Sequence, residues 1–426
     1  MSSNPAGGAS EPSPDRRVPR SVQALGYRDY RLYWSASVVS NTGSMMYLAA
    51  IGWLVEDITD DPWKVTLTAI AGLIPLLLSS PVGGSLADRY SRTRLLLVTV
   101  VAQMAVAVAL ASVVQMDAES FWVLLAFSFG GGVTGSFGAP VQHAVMVELV
   151  PGEVVRNAVF LNSTQWNVSR AAGPMLGGLL IQLSGPGSAF WFNAASFTVL
   201  IIGLSRLPAR PPPGASSSRG HLADFLSGVR HARAVKGIRV ALLATFVLAG
   251  ATSPIQALAP VIADDAFGLD AAGFGVLLGG FGVGALIGAA LLLQFDRGAA
   301  YSLLASLGIG GVALFTLALA VAPNFGLGVV AMGGVGMAFM VTLPTLASAM
   351  QSLCEDSYRG RVMSLWIMLF GVAPPLSVLV GGRLVAYIGI RWVLALTALS
   401  VFAYLVSQLA RRQLRHMDSG SWDFSG

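Results

Sequence analysis

The sequence predicts an all-α integral membrane protein of twelve transmembrane helices in two pseudo-symmetric six-helix bundles. Three observations carry that expectation. Hydrophobic residues make up 54% of the 426 and charged residues 11%, a balance outside that of ordinary soluble domains. Apolar runs of about 20 residues, the length that crosses a ~30 Å hydrocarbon core, recur along almost the whole chain. Basic residues collect in every second connection, as the positive-inside rule requires.

The twelve runs lie near residues 30–55, 65–87, 95–115, 120–146, 157–183, 188–206, 239–262, 271–294, 300–321, 325–350, 362–385 and 390–410. Residues 1–25, rich in Pro, Ser, Gly and Arg, read as a disordered cytoplasmic tail before a retained first anchor, and residues 411–426 read as a second cytoplasmic tail. The connection 207–238 opens with a Pro-Pro-Pro-Gly stretch and divides an N-terminal bundle, 26–206, from a C-terminal one, 239–410. Its later part spaces Leu222, Phe225, Leu226 and Val229 on one face, which suits a helix in the membrane interface or a solvated helical linker.

With both termini in the cytoplasm, 22 of the 26 Lys and Arg fall on that side, leaving Lys64, Arg383 and Arg391 outside and Arg170 between. The distribution argues against nucleic acid as the partner of the net charge of +5 and names the lipid bilayer instead. The single cysteine, Cys354, and four histidines without ligand spacing predict neither disulfides nor a metal site. No Walker loop occurs, and Gly280-Phe-Gly-Val-Gly-Ala285 lies in an apolar run with no preceding strand. No cofactor is expected, and Gly280, Gly284 and Gly288 read as a helix-packing ridge. The lack of an acid, His or Cys cluster at membrane depth points away from an enzyme.

Faint internal repetition supports the division. Asp88-Arg89 recurs as Asp296-Arg297 after 208 residues, while Pro140 matches Pro344 and Gly177-Gly178 matches Gly381-Gly382, both after 204. Parallel repeats of this kind recur in secondary transporters, with the solute site between the halves.

Arg170 sits about halfway along the fifth run. At α-helical pitch it shares a face with Ser163, Trp166, Asn167, Gly173, Pro174 and Gly177. An ionisable residue at that depth normally faces a protein interior or a water-filled cavity. No Asp or Glu shares its depth, so its charge must be met by helix carbonyls, by groups such as Asn41, Asn167 or Gln256, by water, or by an anionic substrate. Two readings stand open: a substrate-facing arginine with Asn167 and Trp166 beside it, or a structural arginine bonded to neighbouring carbonyls.

The connection after the second run reads Gly84-Ser-Leu-Ala-Asp88-Arg89-Tyr-Ser-Arg92-Thr-Arg94. Its Gly-x-x-x-Asp-Arg spacing resembles the signature loop between helices two and three of the major facilitator superfamily, with Ser91 at a usual glycine and Thr93 at a usual basic residue. The resemblance implies a gating role for Gly84 and Asp88, and for Arg89 or Arg92 with Glu148, an acid at the end of helix four. Gly173-Pro174-Met-Leu-Gly177-Gly178 resembles the core of the superfamily's antiporter motif, with Phe160 and Ser169 at its upstream glycines. Proline can bend a helix and glycines admit a neighbouring backbone, so kinking and packing alone remain an alternative.

Tyr30-Arg-Leu-Tyr-Trp34, Ser40-Asn41-Thr-Gly43, Pro140 with Glu148-Leu-Val-Pro151, Asn162 through Gly178, and Arg359-Gly-Arg-Val-Met-Ser364 narrow the resemblance to the enterobactin-exporter and macrolide-efflux branch, over residues 25–410. That branch implies export of a small organic molecule, such as a siderophore or lipophilic drug, from the bacterial cytoplasm. The expected protein is a monomer in the cytoplasmic membrane that works by alternating access and is driven by protons, with uniport or another ion as the alternative. No carboxylate is embedded to carry them, which leaves rim acids such as Asp57 or Asp264. Uptake or facilitated diffusion by the same fold is the alternative, and a membrane sensor or scaffold the second.

Overall fold

The computed structural model describes the backbone of residues 18–89, 91–207, 221–295 and 300–418; side chains at 20–21, 76–89, 139–140 and 221–226, and at 293, 295 and 356, lie outside what it describes. The order is α1 (Arg28–Thr59), α2 (Pro62–Arg89), α3 (Arg92–Gln115), α4 (Phe121–Glu148), α5 (Val155–Ser184), α6 (Gly187–Ser205), α7 (His221–Ala234), α8 (Lys236–Ala257), α9 (Ala259–Val261), α10 (Ala271–Phe295), α11 (Tyr301–Val321), α12 (Phe325–Leu353), α13 (Asp356–Ile388) and α14 (Ile390–Ala410). No strand occurs among the described residues. Ten of these helices are long and apolar enough to cross a membrane by length and composition. The other two long ones are α2, with part of its side chains undescribed, and α5, whose polar stripe dilutes its hydropathy.

Short connections make successive long helices antiparallel. The bundle therefore has a termini end, with the α2–α3 and α4–α5 connections, and a far end, with the α1–α2 and α5–α6 connections. The exposed Trp and Tyr side chains among the described residues, Trp122, Trp191, Tyr387 and Trp392, all sit on helix turns at the far end.

Two expectations need correction. Residues 20–25 are not a disordered tail: Arg20–Gly26 forms a 3₁₀ helix. Ala24 and Tyr27 bury their side chains, and the Ala24 N–H donates to Asn157 Oδ1 at 2.9 Å. Residues 1–17 lie outside the described residues. The apolar run 239–262 is not one helix either. It breaks at Leu258 and continues through α9 into a π-helical turn, Ile262–Ala266. Pro260 has no N–H to offer the Gln256 carbonyl, which ends the regular ladder there.

Packing repeats between the first six and last six long helices. A Cβ on Gly177 would lie 3.4 Å from Met46 Cα on α1, and one on Gly178 would strike the Ala271 carbonyl oxygen on α10. At the equivalent positions, a Cβ on Gly381 would lie 3.2 Å from Pro254 on α8, and one on Gly382 would strike the Thr66 side chain on α2. One arrangement thus occurs twice at an interval of 204 residues. The ridge on α10 faces α12, where Cβ atoms on Gly284 and Gly288 would strike the Gly333 and Met337 carbonyls. Asp296 and Arg297 lie outside the described residues, and so do the side chains of Asp88, Arg89 and Pro140 and the surroundings of Gly84.

α7 packs against the base of α13: His231 stacks on Tyr358 with centroids 4.3 Å apart, and a Cβ on Gly228 would lie 3.0 Å from Arg361 Cβ. A solvated linker helix would leave this face free. The side chains of Leu222, Phe225 and Leu226 lie outside the described residues; Val229 is partly buried against the core.

Candidate substrate cavity

The sequence that makes α5 polar also fixes where it sits. Tyr30 Oη donates to the Ala158 carbonyl at 2.9 Å and Trp34 Nε1 to the Leu161 carbonyl at 3.0 Å, tying α1 to the termini-end half of α5. Further along, the Thr42 and Ser169 hydroxyls lie 3.1 Å apart over the Val38 carbonyl. A Cβ on Gly173 would strike Met45, so glycine there lets α5 lie directly on α1. These contacts set the register that turns Arg170 inward.

Arg170 lines a cavity of about 610 Å³ between the first six and last six helices. Its depth is about 22 Å from the start of α5, at 1.5 Å per residue. Trp166 and Pro174 line it from the same helix, Asn41 from α1 and Gln256 from α8. Of the substrate-site residues expected from sequence, Ser163 and Asn167 lie outside this lining. Asn167 Nδ2 instead donates to the Ser163 carbonyl at 2.9 Å within α5. Asn167 turns its amide back onto its own helix, although Trp166 beside it lines the wall.

Several lining residues were not picked out from sequence: Gln103, Gln142, Asn193 and Ser253. A polar side chain inside an apolar run is the signal that would have found them. Gln165, 1% exposed with both amide atoms unpaired, and Asn41, whose Nδ2 is buried without a partner, add unspent hydrogen-bonding capacity beside the chamber.

Among the described residues that line the cavity, Arg170 is the sole charged one. Among the described residues it makes no ion pair and no carbonyl accepts from it. Placing Arg at the centre of a membrane helix costs roughly 3 kcal/mol on insertion scales and more in simulations. An aqueous or ligand-filled chamber removes much of that cost; lipid does not. The rest of the wall is mainly apolar, with Phe274, Leu278 and Phe281 from α10 and Val378 from α13.

The chamber is sealed at the far end. Trp53 on α1 stacks on Phe274 with centroids 5.4 Å apart. Gln182 Nε2 donates to Asp270 Oδ2 at 2.6 Å, and Arg383 lies over the Trp63 ring at 5.4 Å. Close backbone approaches continue down α5 and α10 to Gly282, where a Cβ would strike Ala171. These contacts all lie at or beyond the depth of Arg170. Beside this seal, burial first, then Asp264 and Asp60, push the Asp265 carboxyl above its usual range.

At the termini end, Arg92 Nη1 donates to Glu148 Oε1 at 2.7 Å, with both side chains about one-quarter exposed. This joins the first turn of α3 to the last turn of α4, the pairing that the loop's resemblance implied. Exchanging Glu148 for Gln is expected to leave the melting temperature nearly unchanged, since such a pair is worth about 1 kcal/mol or less. Transport is expected to slow and to recover in part when Arg92→Glu is combined with Glu148→Arg. A thermal melt checks the first and initial uptake rates into vesicles the second; full activity in both Arg92→Glu and Glu148→Arg alone would remove this pair from gating.

A bundle of long apolar helices around a solute-sized chamber, sealed at one end, is the architecture of a membrane transporter. The description of the transmembrane secretion effector family of major facilitator transporters matches residues 21–423, and the chain belongs to that family. It is 24% identical over 398 residues to the multidrug efflux pump Tap of Mycolicibacterium fortuitum, covering 91% of this chain and 96% of Tap. It is 27% identical over 345 residues to the enterobactin exporter EntS of Shigella boydii, covering 79% and 80%. Among solved structures it resembles a bacterial homologue of the human lysosomal transporter Spinster in an inward-facing, unoccupied conformation, at a TM-score of 0.70 and 14% identity over 93% of this chain and 99% of that one. The nucleoside transporter NupG gives a TM-score of 0.71 at 13% identity over 90% and 99%. These likenesses make the chain a multi-pass membrane protein with a transport role and a small-molecule substrate.

Proposed function

We propose that this protein exports a small amphiphilic organic compound carrying an anionic or strongly accepting group, across the bacterial cytoplasmic membrane. The observation that carries the reading is a chamber with mainly apolar walls where, among the described residues, the one charge is the Arg170 guanidinium, which has no partner among them. A volume of about 610 Å³ falls in the range of small-molecule sites, about 300–1,000 Å³. The apolar walls suit the body of such a compound, and the planar fork of Arg170 suits a carboxylate, catecholate or phosphate. Efflux as the direction is supported by the likeness to Tap and EntS.

Twelve spans, both termini in the cytoplasm, a monomer and alternating access by rocking of residues 26–206 against 239–410 belong to the same proposal. The repeated glycine contacts support the two rocking units, and the basic residues at the termini end support the orientation. With that orientation the sealed end faces outward and the Arg170 chamber is reached from the cytoplasm, as an exporter's loading state requires. Coupling to protons is part of this reading, without a carrier residue assigned.

The decisive test is intracellular accumulation of a compound panel, graded in charge and hydrophobicity, in cells with and without the protein. Amphiphilic anions are expected to accumulate less where the protein is made. Equal accumulation across the whole panel would overturn export. Reconstituted vesicles with and without a pH gradient test the coupling, and equal flux in both excludes proton drive.

A further inference from the structure

The far-end seal contains four carboxylates that sequence spacing gave no reason to group. Glu56 lies on the last turns of α1 and Asp60 caps that helix, while Asp264 and Asp265 lie in the π-helical turn after α9. Each can offer one oxygen such that all four oxygens lie within 4.8 Å of one another. Glu56 is 3% exposed, and neither of its carboxylate oxygens has a hydrogen-bond partner. The other three are exposed, so the cluster has a buried floor and an open mouth.

Nearby cations are engaged elsewhere. Lys64 pairs with Asp61 at 3.8 Å, Arg383 lies over Trp63 and Tyr387, and the Arg391 guanidinium donates to the Ala266, Ala320 and Ala322 carbonyls at 2.8–3.0 Å. Among the described residues no basic side chain pairs with any of the four acids. A buried carboxylate without a donor, facing three others, needs positive charge brought from outside.

We propose that Glu56, Asp60, Asp264 and Asp265 form a binding site for a hard divalent cation, calcium in preference to magnesium, that latches the far end of the bundle closed. All donors are carboxylate oxygens, which select hard cations over copper or zinc. The ligands come from two separately moving elements, and the irregular, partly hydrated shell they provide suits calcium better than the strict octahedron of magnesium. Two acids come from the first six helices and two from the last six. Opening this end must pull the pairs apart, so a cation between them stabilises the closed state alone and shifts the equilibrium toward it. Asp60 and Asp264 are 204 residues apart, the interval that relates the repeated glycine pairs, so the site lies where equivalent ends of the two repeats meet.

The latch rests on the proposed rocking of the two six-helix units, but not on export or its substrate, because it is tested on the resting protein with no transported solute. Full-length protein in lipid nanodiscs is titrated with calcium chloride by calorimetry, and the far-end distance is read by energy transfer between labels on α2 and α13. One calcium per chain is expected, with a shorter far-end distance when it binds. Removing one ligand, as Glu56→Gln or Asp264→Asn, is expected to weaken binding by roughly tenfold or more, since charge count sets the affinity of such sites. Asp57→Asn, exposed and outside the cluster, is expected to leave it unchanged. Asp264 is itself exposed, so its variant reports on binding even where Glu56→Gln fails to fold. No saturable binding by the folded protein overturns the site. Equal binding in all variants does so too, as does a far-end distance that follows pH without responding to calcium, which would assign the cluster to shared protons.

Discussion

Replacing Arg170 with glutamine is expected to weaken transport of an anionic substrate by roughly ten- to a hundredfold, the loss of about 1.5–3 kcal/mol that a charge-assisted hydrogen bond supplies. Folding should survive. The guanidinium makes no ion pair or carbonyl bond among the described residues, so its removal orphans no partner, and a neutral amide at that depth costs less than a charge. Arg170→Lys is expected to fall between the two, retaining the charge and losing the bidentate fork. A neutral substrate of the same size should respond far less than an anionic one. Concentration-dependent uptake into inverted vesicles separates affinity from maximal rate. Unchanged affinity for anions in a well-folded Arg170→Gln protein would leave Arg170 with a structural role.

Substituting leucine for Gly178 should abolish transport by a different route. A side chain there meets the Ala271 carbonyl and, at 3.0 Å from its Cβ, Gly275 on the neighbouring α10. Overpacking of this kind costs about 1–3 kcal/mol, and here the strain falls on a seam that exists only while the far end is closed. A bias of about 2 kcal/mol changes the closed-to-open ratio roughly thirtyfold. The expected result is a protein that inserts and folds, transports at less than about a tenth of the normal rate, and exposes its far end. Gly382→Leu, at the repeat-related contact with Thr66, should do the same. Labelling of Ala271→Cys, a position 6% exposed in the closed seam, by a membrane-impermeant reagent reads the exposure. The native thiol stays silent, because burial pushes Cys354 up to about 11 despite the opposing influence of Arg359, and thiols react as thiolates. Normal transport by both glycine variants would show that the seam opens without regard to these contacts.

The parts of this molecule that were legible in the sequence are those carried by period and depth. Apolar runs separated by short polar turns gave the long helices, and an arginine in the middle of one run gave the chamber's charge. The Gly177/Gly178 and Gly381/Gly382 pairs, faint as a pattern, mark contacts that repeat in three dimensions. Period failed at side-chain conformation: Asn167 shares the face of Arg170 and neighbours Trp166 in the lining, yet its amide is bonded to the Ser163 carbonyl. It also could not say whether an arginine on a helix serves the fold or the chamber. Arg391 donates to three backbone carbonyls and so has the structural role that was weighed for Arg170, which takes no such partner among the described residues. The far-end acids were legible only as charges on separate turns, because nothing local in Glu56 or Asp264 announces a neighbour two hundred residues away.

The exposed Trp and Tyr side chains at one end of the bundle have a consequence for how the protein sits in membranes of different thickness. Trp122, Trp191, Tyr387 and Trp392 fix that end at headgroup level, where amphipathic rings are held. The opposite end is lined by arginines, whose long stems reach the interface over a span of several ångströms. Hydrophobic mismatch is therefore absorbed at the arginine end, by snorkelling, while the aromatic end keeps its depth. The seal, which lies beside the aromatic ring, keeps a constant position relative to the lipid surface whether the bilayer is thick or thin.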